Sequence, residues 1–437
     1  MKNVLIIGSG AREHSIAKAF AQSSHSLRLF CLGTNLNPGI RDLCSELVVG
    51  SITDPLSVLS FAKQHSIDFA IIGPEAALAA GASDALWEVN IPCIGPTKNL
   101  AQIETSKAFT RRLLKKHDIP ASPSFKVFNS LEGVPEFLNE LGDNYVIKYD
   151  GLMSGKGVRV AGDHLHGHAD ALSYCKELVD EFKAFVVEEK LIGQEFSLMS
   201  FCDGTHLRHM PLVQDHKRAY ENDRGPNTGG MGSYSDTDGS LPFLVNEDIN
   251  QAQAINIATA AALKKEFGKG YIGILYGGFI ATATGVKLIE YNARFGDPEA
   301  LNVLAILTTD FYDICRAMIH GTLINCPVEF KPQATVCKYV VPNGYPDKPV
   351  RGEKINLSGI QNFDQLYFAS VEVKGGQLIE AGSRTVAYVG IADTLDEAEK
   401  IAEKEVAAVE GPLFHRKDIG TKVLVNKRVQ QMNELRG

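Results

Sequence analysis

Apolar residues open the chain in short, nearly continuous runs. "NVLIIG", "LRLFCLG" and "DFAIIGPE" have the pattern of strands buried on both faces of a parallel sheet. Between them "AREHSIAKAFAQ", "PLSVLSFAKQH" and "ALAAGASDALWEV" carry apolar positions three and four apart, which predicts helices. This alternation over residues 1–100 predicts a doubly wound α/β unit. A helix is expected at "SKAFTRRLLKKH" and a linker at "IPASPSF", residues 119–125. Strands and helices then mix from 123 to about 330. Within that span, residues 215–240 ("DHKRAYENDRGPNTGGMGSYSDTDG") lack periodicity and are polar and glycine-rich, which predicts a functional loop. Beyond 330, "QATVCKYVVP" and "SRTVAYVGIA" predict strands and "TLDEAEKIAEKEVAAVE" an amphipathic helix. The expected fold is multidomain: an α/β domain over 1–105, a mixed central domain over 106–330 and a small α+β domain over 331–437.

Composition narrows the class. The chain has 437 residues, 44% of them apolar, enough for several cores. A net charge of -8 provides no global basic field, so no nucleic acid partner is expected. The cysteines include no C-x-x-C pair, which fits buried reduced thiols better than a zinc site or a disulfide framework. "MKNVLIIGSG" reads as a strand rather than a signal peptide, and no apolar run is long enough to span a bilayer. A cytoplasmic protein without a membrane partner is expected.

Several motifs carry chemistry. "IKYDGLMSGKGVRV" (147–160) has Gly151, Ser154, Gly155, Lys156 and Gly157, the ingredients of a phosphate loop. Its spacing is not that of a P-loop, and alternating β-branched residues on both sides predict a hairpin rather than a strand-to-helix turn. Lys148 lies on the incoming strand. "GSGAREH" follows a strand and opens a helix, but Glu13 replaces the third glycine of a dinucleotide fingerprint. No acid ends the second strand to bind a ribose, so an anion site other than NAD is expected there, with a bare packing turn as the alternative. "DHLHGHAD" places three histidines at alternate positions, yet reads as a solvated turn. "KLIEYNARFGDPE" is more specific. Glu290 and Asn292, two apart on a strand, share a face and offer hard oxygen donors suited to magnesium. Arg294 follows on the same side and can fork onto a phosphoryl or carboxylate group. The plain alternative for Arg294 is a structural ion pair with Asp297 or Glu299.

Taken in order, "ETSKAFTR", "VIKYDGLMSGKGV", "VVEEKL", "QDHKR", "GPNTGGMG", "KLIEYNARFGDPE" and "FHRKDIG" resemble the ATP-grasp superfamily. Within it the chain is similar, nearly end to end, to the glycinamide ribonucleotide synthetases, the phosphoribosylamine–glycine ligases of purine synthesis. The resemblance implies ATP held between two antiparallel sheets, one of them a lid. Lys107 and Lys148 would face inner phosphates, and Gly151, Ser154, Gly155, Lys156 and Gly157 would cover outer ones. Glu188, Glu189 and Leu191 would hold adenine, Glu195 the ribose, and Glu290 and Asn292 a magnesium or manganese ion. Arg294, Asp215, Lys217 and Arg218, with Asn227, Thr228, Gly229 and Gly230, would grip the acyl phosphate and the acceptor. Gly10, Glu13 and Glu75 would contribute the sugar-phosphate site. The implied reaction turns glycine into an acyl phosphate, which the amine of 5-phosphoribosylamine then attacks. A monomer is expected. The alternatives are another ATP-grasp ligase or carboxylase of the same pathway, a non-catalytic nucleotide-binding protein, and a nicotinamide dehydrogenase. The chain departs from the family at Tyr149, Met153-Ser154, "CLGTNLNPG", Tyr276, Ala300-Leu301 and "GSRTVAYV".

Overall fold

The computed structural model describes residues 1–153, 157–181 and 183–437. The apolar runs of the first hundred residues form a five-stranded parallel sheet. Its order is Glu46–Val49, Leu27–Gly33, Lys2–Ile7, Phe69–Ile72, Cys93–Ile94. The order reverses beside Lys2–Ile7, so the "GSG" turn and the "GPE" turn meet at the switch point. The helix expected from "ALAAGASDALWEV" is two helices, Glu75–Ala80 and Ala82–Glu88. Gly81 separates them at φ +93°, a left-handed conformation that glycine adopts without a Cβ penalty.

Two antiparallel sheets follow. The lid sheet runs Phe125–Phe128, Phe185–Glu189, Tyr145–Tyr149, Val158–Val160, with helices Val134–Leu141 and His168–Asp180. Tyr145–Tyr149 and Val158–Val160 pair directly, Lys148 opposite Val158, so the glycine loop does join a hairpin. The platform sheet runs Leu207–His209, Gln194–Asp203, Ile272–Thr282, Gly285–Asn292, backed by helix Asn246–Phe267. The lid has its own small core around Phe137, Tyr145, Ile147 and Phe185. One large core joins the N-terminal sheet, the platform and much of the C-terminal part.

The segment 215–240, expected as a functional loop, contains regular structure. Gln214–Asp215 and Gly232–Ser235 are strands, and Arg218–Tyr220 pairs with Arg224–Asn227 as a hairpin. Gly232–Ser235 also pairs with Ala334–Pro342, Ser233 opposite Cys337. The C-terminal sheet is therefore completed by strands from before residue 330. Gly232 permits this: a Cβ there would lie 2.3 Å from the Cys337 carbonyl oxygen. The cysteines are unpaired and mostly buried. Among the described residues, no helix is long and apolar enough to cross a membrane.

Candidate active site

The platform strand Gly285–Asn292 sets the site. Asn292 stands opposite Tyr276, Tyr291 opposite Gly277 and Glu290 opposite Gly278. Tyr291 turns inward and donates to Asn256 or Thr259 at 3.0 and 2.9 Å, which leaves Glu290 and Asn292 together on the other face. Burial works to raise the proton affinity of Glu290, but Lys217, Lys107, Lys148 and Arg294 outweigh it, and its carboxyl titrates below the usual range. The charges of four residues from four segments thus all act on one carboxylate. Glu290 has no side-chain hydrogen bond among the described residues, so its oxygens are available to a ligand.

The lid packs against this carboxylate through a buried charge cluster. Arg111 forks onto both oxygens of Glu188 at 2.6 and 2.9 Å and donates to the Leu288 and Ile289 carbonyls at 3.0 and 2.8 Å. Lys148 lies 2.8 Å from Glu188 and donates to the Ile289 carbonyl at 3.2 Å. Burial opposes ionisation of Glu188, yet Arg111 and Lys148 bring its pKa down to about 2. Lys107 donates to the Gly151 carbonyl at 3.0 Å, and Asp150 accepts from Ser106 and from the Ala108 amide at 3.1 Å each. The base of the glycine loop is thereby seated on the N-terminus of helix Lys107–Lys116. A small cleft remains between the sheets, lined by Glu104, Lys107, Arg111, Glu188, Ile289 and Glu290. Glu189 is exposed and accepts from the Ser124 amide at 3.3 Å, and Leu191 is half-buried in the stretch joining lid to platform. Glu195 pairs with Lys217 at 3.1 Å. Gly157 accepts from the Tyr149 amide at 2.8 Å. Ser154, Gly155 and Lys156 lie outside the described residues.

Arg294 does not pair with Asp297 or Glu299. It reaches Glu75 at 3.3 Å and Glu104 at 3.0 Å, and donates to the Phe295 carbonyl and to Asn292 at 3.2 Å each. Asp297 is taken by Arg384 at 2.9 Å and Tyr339 at 2.6 Å, and Glu299 by Tyr276 at 2.5 Å. On the N-terminal side Glu13 accepts from the Gly10 amide and from Arg12 at 2.6 Å each, and Arg12 donates to the Phe295 carbonyl at 3.2 Å. Glu13 therefore caps its own helix N-terminus and fills the groove against Gly73, where a Cβ would lie 1.8 Å from its oxygen. Gly10, Glu13 and Arg12 are thus linked through the shared Phe295 carbonyl to Arg294 and Glu75.

The 215–230 segment closes the remaining side. Glu195 leads the groups that raise the proton affinity of Lys217, and burial followed by Glu299 raises that of Asp215. Thr228 binds the Lys217 carbonyl through its amide at 2.7 Å and its hydroxyl at 2.8 Å, and the hydroxyl accepts from the Gly230 amide at 3.0 Å. Gly230, at φ +105°, leaves space for Asp215: a Cβ would come within 2.7 Å of the carboxylate. Asn227 and Gly229 are exposed. Arg218 is engaged elsewhere, by Asp163 of the lid and by the Gly225 carbonyl at 2.8 Å.

Sequence comparison places this geometry. Family models match consecutive stretches: the phosphoribosylglycinamide synthetase N domain at residues 2–104, its ATP-grasp (A) domain at 105–300 and its C domain at 335–422. The phosphoribosylamine–glycine ligase of Methanosarcina barkeri is 48% identical over 99% of this chain and 100% of its own. The chain belongs to the phosphoribosylglycinamide synthetase family. The ligase of Methanosarcina acetivorans is likewise 48% identical, over 99% of this chain and 98% of its own. The crystal structure of the Thermotoga maritima phosphoribosylamine–glycine ligase superposes with a TM-score of 0.81 at 28% identity, covering 95% of this chain and 99% of that one.

Three further residues beside this candidate site were not singled out from the sequence. Arg111 is one turn beyond Lys107 on the same helix face, a spacing that signals a shared environment. Glu104 precedes that helix and binds both Arg294 and, at 2.8 Å, the Ala293 amide. Arg384 comes from the departing "GSRTVAYV" stretch, and no local pattern indicates where it points.

Proposed function

We propose that the chain joins glycine to 5-phosphoribosylamine with ATP, giving glycinamide ribonucleotide, ADP and phosphate. The carrying observation is the cleft that Lys107 and Glu290 line together, with Lys148 bonded to the adjacent Ile289 carbonyl and the charges of Lys217 and Arg294 also acting on Glu290, in a chain that aligns end to end with phosphoribosylamine–glycine ligases. A cluster of that sign and density suits a triphosphate. Glu290 and Asn292 offer oxygen donors on one face, and the depressed pKa keeps Glu290 ionised at neutral pH, so both fit a magnesium or manganese ion. Such an ion, when bound, would neutralise phosphate charge. Lys107 and Lys148 then hold inner phosphates while Glu188, Glu189, Leu191 and Glu195 line the nucleoside end.

In the reaction we assign, a glycine carboxylate oxygen attacks the γ-phosphorus. The bond to the β–γ bridging oxygen breaks and ADP leaves, giving glycyl phosphate. The amine of phosphoribosylamine attacks the acyl carbon, phosphate leaves and the amine loses a proton. Catalysis consists of positioning and of Arg294 and Lys217 stabilising charge as it develops. Asp215, Asn227, Thr228, Gly229 and Gly230 line the glycine side, and Gly10, Glu13 and Glu75 the sugar-phosphate side, where the Gly10 amide is already bonded to Glu13 rather than free for a phosphate. We expect Arg218 to act through the lid rather than on the phosphate, given its bond to Asp163. The working unit is proposed as a cytoplasmic monomer, checked by sedimentation. The deciding assay is ADP release with each amino acid, with and without phosphoribosylamine. Release should require glycine and the amine together and should strongly prefer glycine to alanine. Equal turnover of alanine removes the assignment.

A further inference from the structure

We propose that Arg384, on the C-terminal sheet, is a positioning residue for the glycine-binding loop. The proposal rests on the functional reading above, which places Gly229 and Gly230 beside glycine. The Arg384 guanidinium donates to the carbonyls of Gly229 at 2.6 Å, Gly230 at 3.2 Å and Asp297 at 3.0 Å, and pairs with the Asp297 carboxylate at 2.9 Å. One planar group thus ties together the "GPNTGG" turn and the turn that follows Arg294. Its own direction is set in turn. It stacks over the Tyr339 ring, 4.4 Å from the centroid, and the Tyr339 hydroxyl donates to the other Asp297 oxygen at 2.6 Å. Tyr345, also of the C-terminal part, accepts from the Gly229 amide at 3.3 Å.

The loop needs an outside support. Gly230 is in a positive-φ conformation that fixes no direction by itself, and Gly229 is exposed. Among the described residues, Gly230 is held on the far side by the Thr228 hydroxyl and Gly229 by no bond there. Backbone groups that hold a small substrate must be fixed to a fraction of an ångström, and a planar guanidinium whose Nη1 meets two successive carbonyls while its Nη2 is anchored on the Asp297 carboxylate does this where the single nitrogen of a lysine could not. The role is in substrate positioning: Arg384 is not placed against the nucleotide, whose proposed contacts lie on the lid and on helix Lys107–Lys116.

The test uses the full chain with Arg384→Met and Arg384→Lys. Glycine dependence is measured at saturating ATP and phosphoribosylamine, ATP binding directly without turnover, and hydrogen exchange over residues 225–235. We expect Arg384→Met to raise KM for glycine at least tenfold, with a smaller fall in kcat and ATP affinity within twofold of wild type. Exchange in the loop should quicken, and Arg384→Lys should fall between. Should Arg384→Met not fold, Tyr339→Phe removes one bond from the same arrangement and should raise KM for glycine a few-fold in a folded protein. An unchanged KM for glycine with unchanged loop exchange overturns the proposal. A wild-type chain inactive with glycine overturns the functional reading instead, and loop exchange in Arg384→Met then still decides the positioning role.

Discussion

Arg294 directs its donors to two carboxylates, a side-chain amide and a carbonyl. A lysine has a point charge and cannot satisfy that fork. Arg294→Lys should lower kcat about 10²–10³-fold, the usual cost of losing one preorganised donor. Direct ATP affinity should change little, because Lys107 and Lys148 remain. The melting temperature should also fall, since buried Glu104 loses its partner. A variant that is destabilised but has normal kcat per folded molecule would make Arg294 structural only. Glu290→Ala should nearly abolish turnover while ATP affinity falls less. Wild-type turnover at the same magnesium concentration would place the metal elsewhere. At this scale the motif residues were legible in the sequence, because strand periodicity alone places Glu290 and Asn292 on one face. Their partners were not. Glu75 lies 219 residues from Arg294 and Glu104 sits in the short helix Gln102–Thr105, and no spacing rule connects either to it.

Among elements, the short stretch between Phe185–Glu189 and Gln194–Asp203 joins lid to platform. Gly193 in it faces the neighbouring strand: a Cβ there would lie 1.8 Å from the Ala281 carbonyl oxygen. That obstacle is backbone and cannot rotate away. Gly193→Ala should therefore displace the start of the platform strand and destabilise the protein by about 1–3 kcal/mol, the range for overpacked sites. Chemical denaturation measures it, and an unchanged midpoint would show that the connection yields freely. The strands of the N-terminal sheet and the glycine-loop hairpin were readable from apolar runs and alternation. Gln214–Asp215 and Gly232–Ser235 were not, because they are short and polar. Ser233 and Ser235 are fully buried without being apolar, and Ser233 bonds Asn302 instead.

In the whole molecule three histidines are held neutral by burial: His14 down to about 3, His209 to about 4 and His216 to about 3. Unfolded histidine titrates near 6.5. Between those values the unfolded chain binds more protons than the folded one, so stability is complete above pH 6.5 and falls as pH drops toward 4. Each group contributes up to about 1.4 kcal/mol per pH unit in that window. Glu188, at about 2, adds a further loss as pH falls below the ordinary glutamate range. Melting should drop clearly from pH 7 to pH 5, and less so in His209→Gln. A melting temperature flat over that range would show that these rings are not neutral in the folded state.

The sequence by itself determined the order of elements, the hairpin under the glycine loop, the shared face of Glu290 and Asn292, and the family resemblance. Each of these rests on local periodicity or on an uninterrupted motif. Tertiary structure alone decided that Arg294 binds Glu75 and Glu104, that Glu188 is locked between Arg111 and Lys148, and that Arg384 grips a loop 155 residues away. It also decided that the C-terminal sheet includes Gly232–Ser235. The physical reason is common to all four. A buried charge or backbone group takes whichever partner the packed core brings within about 3 Å, and that proximity is a property of the assembled chain rather than of any window along it.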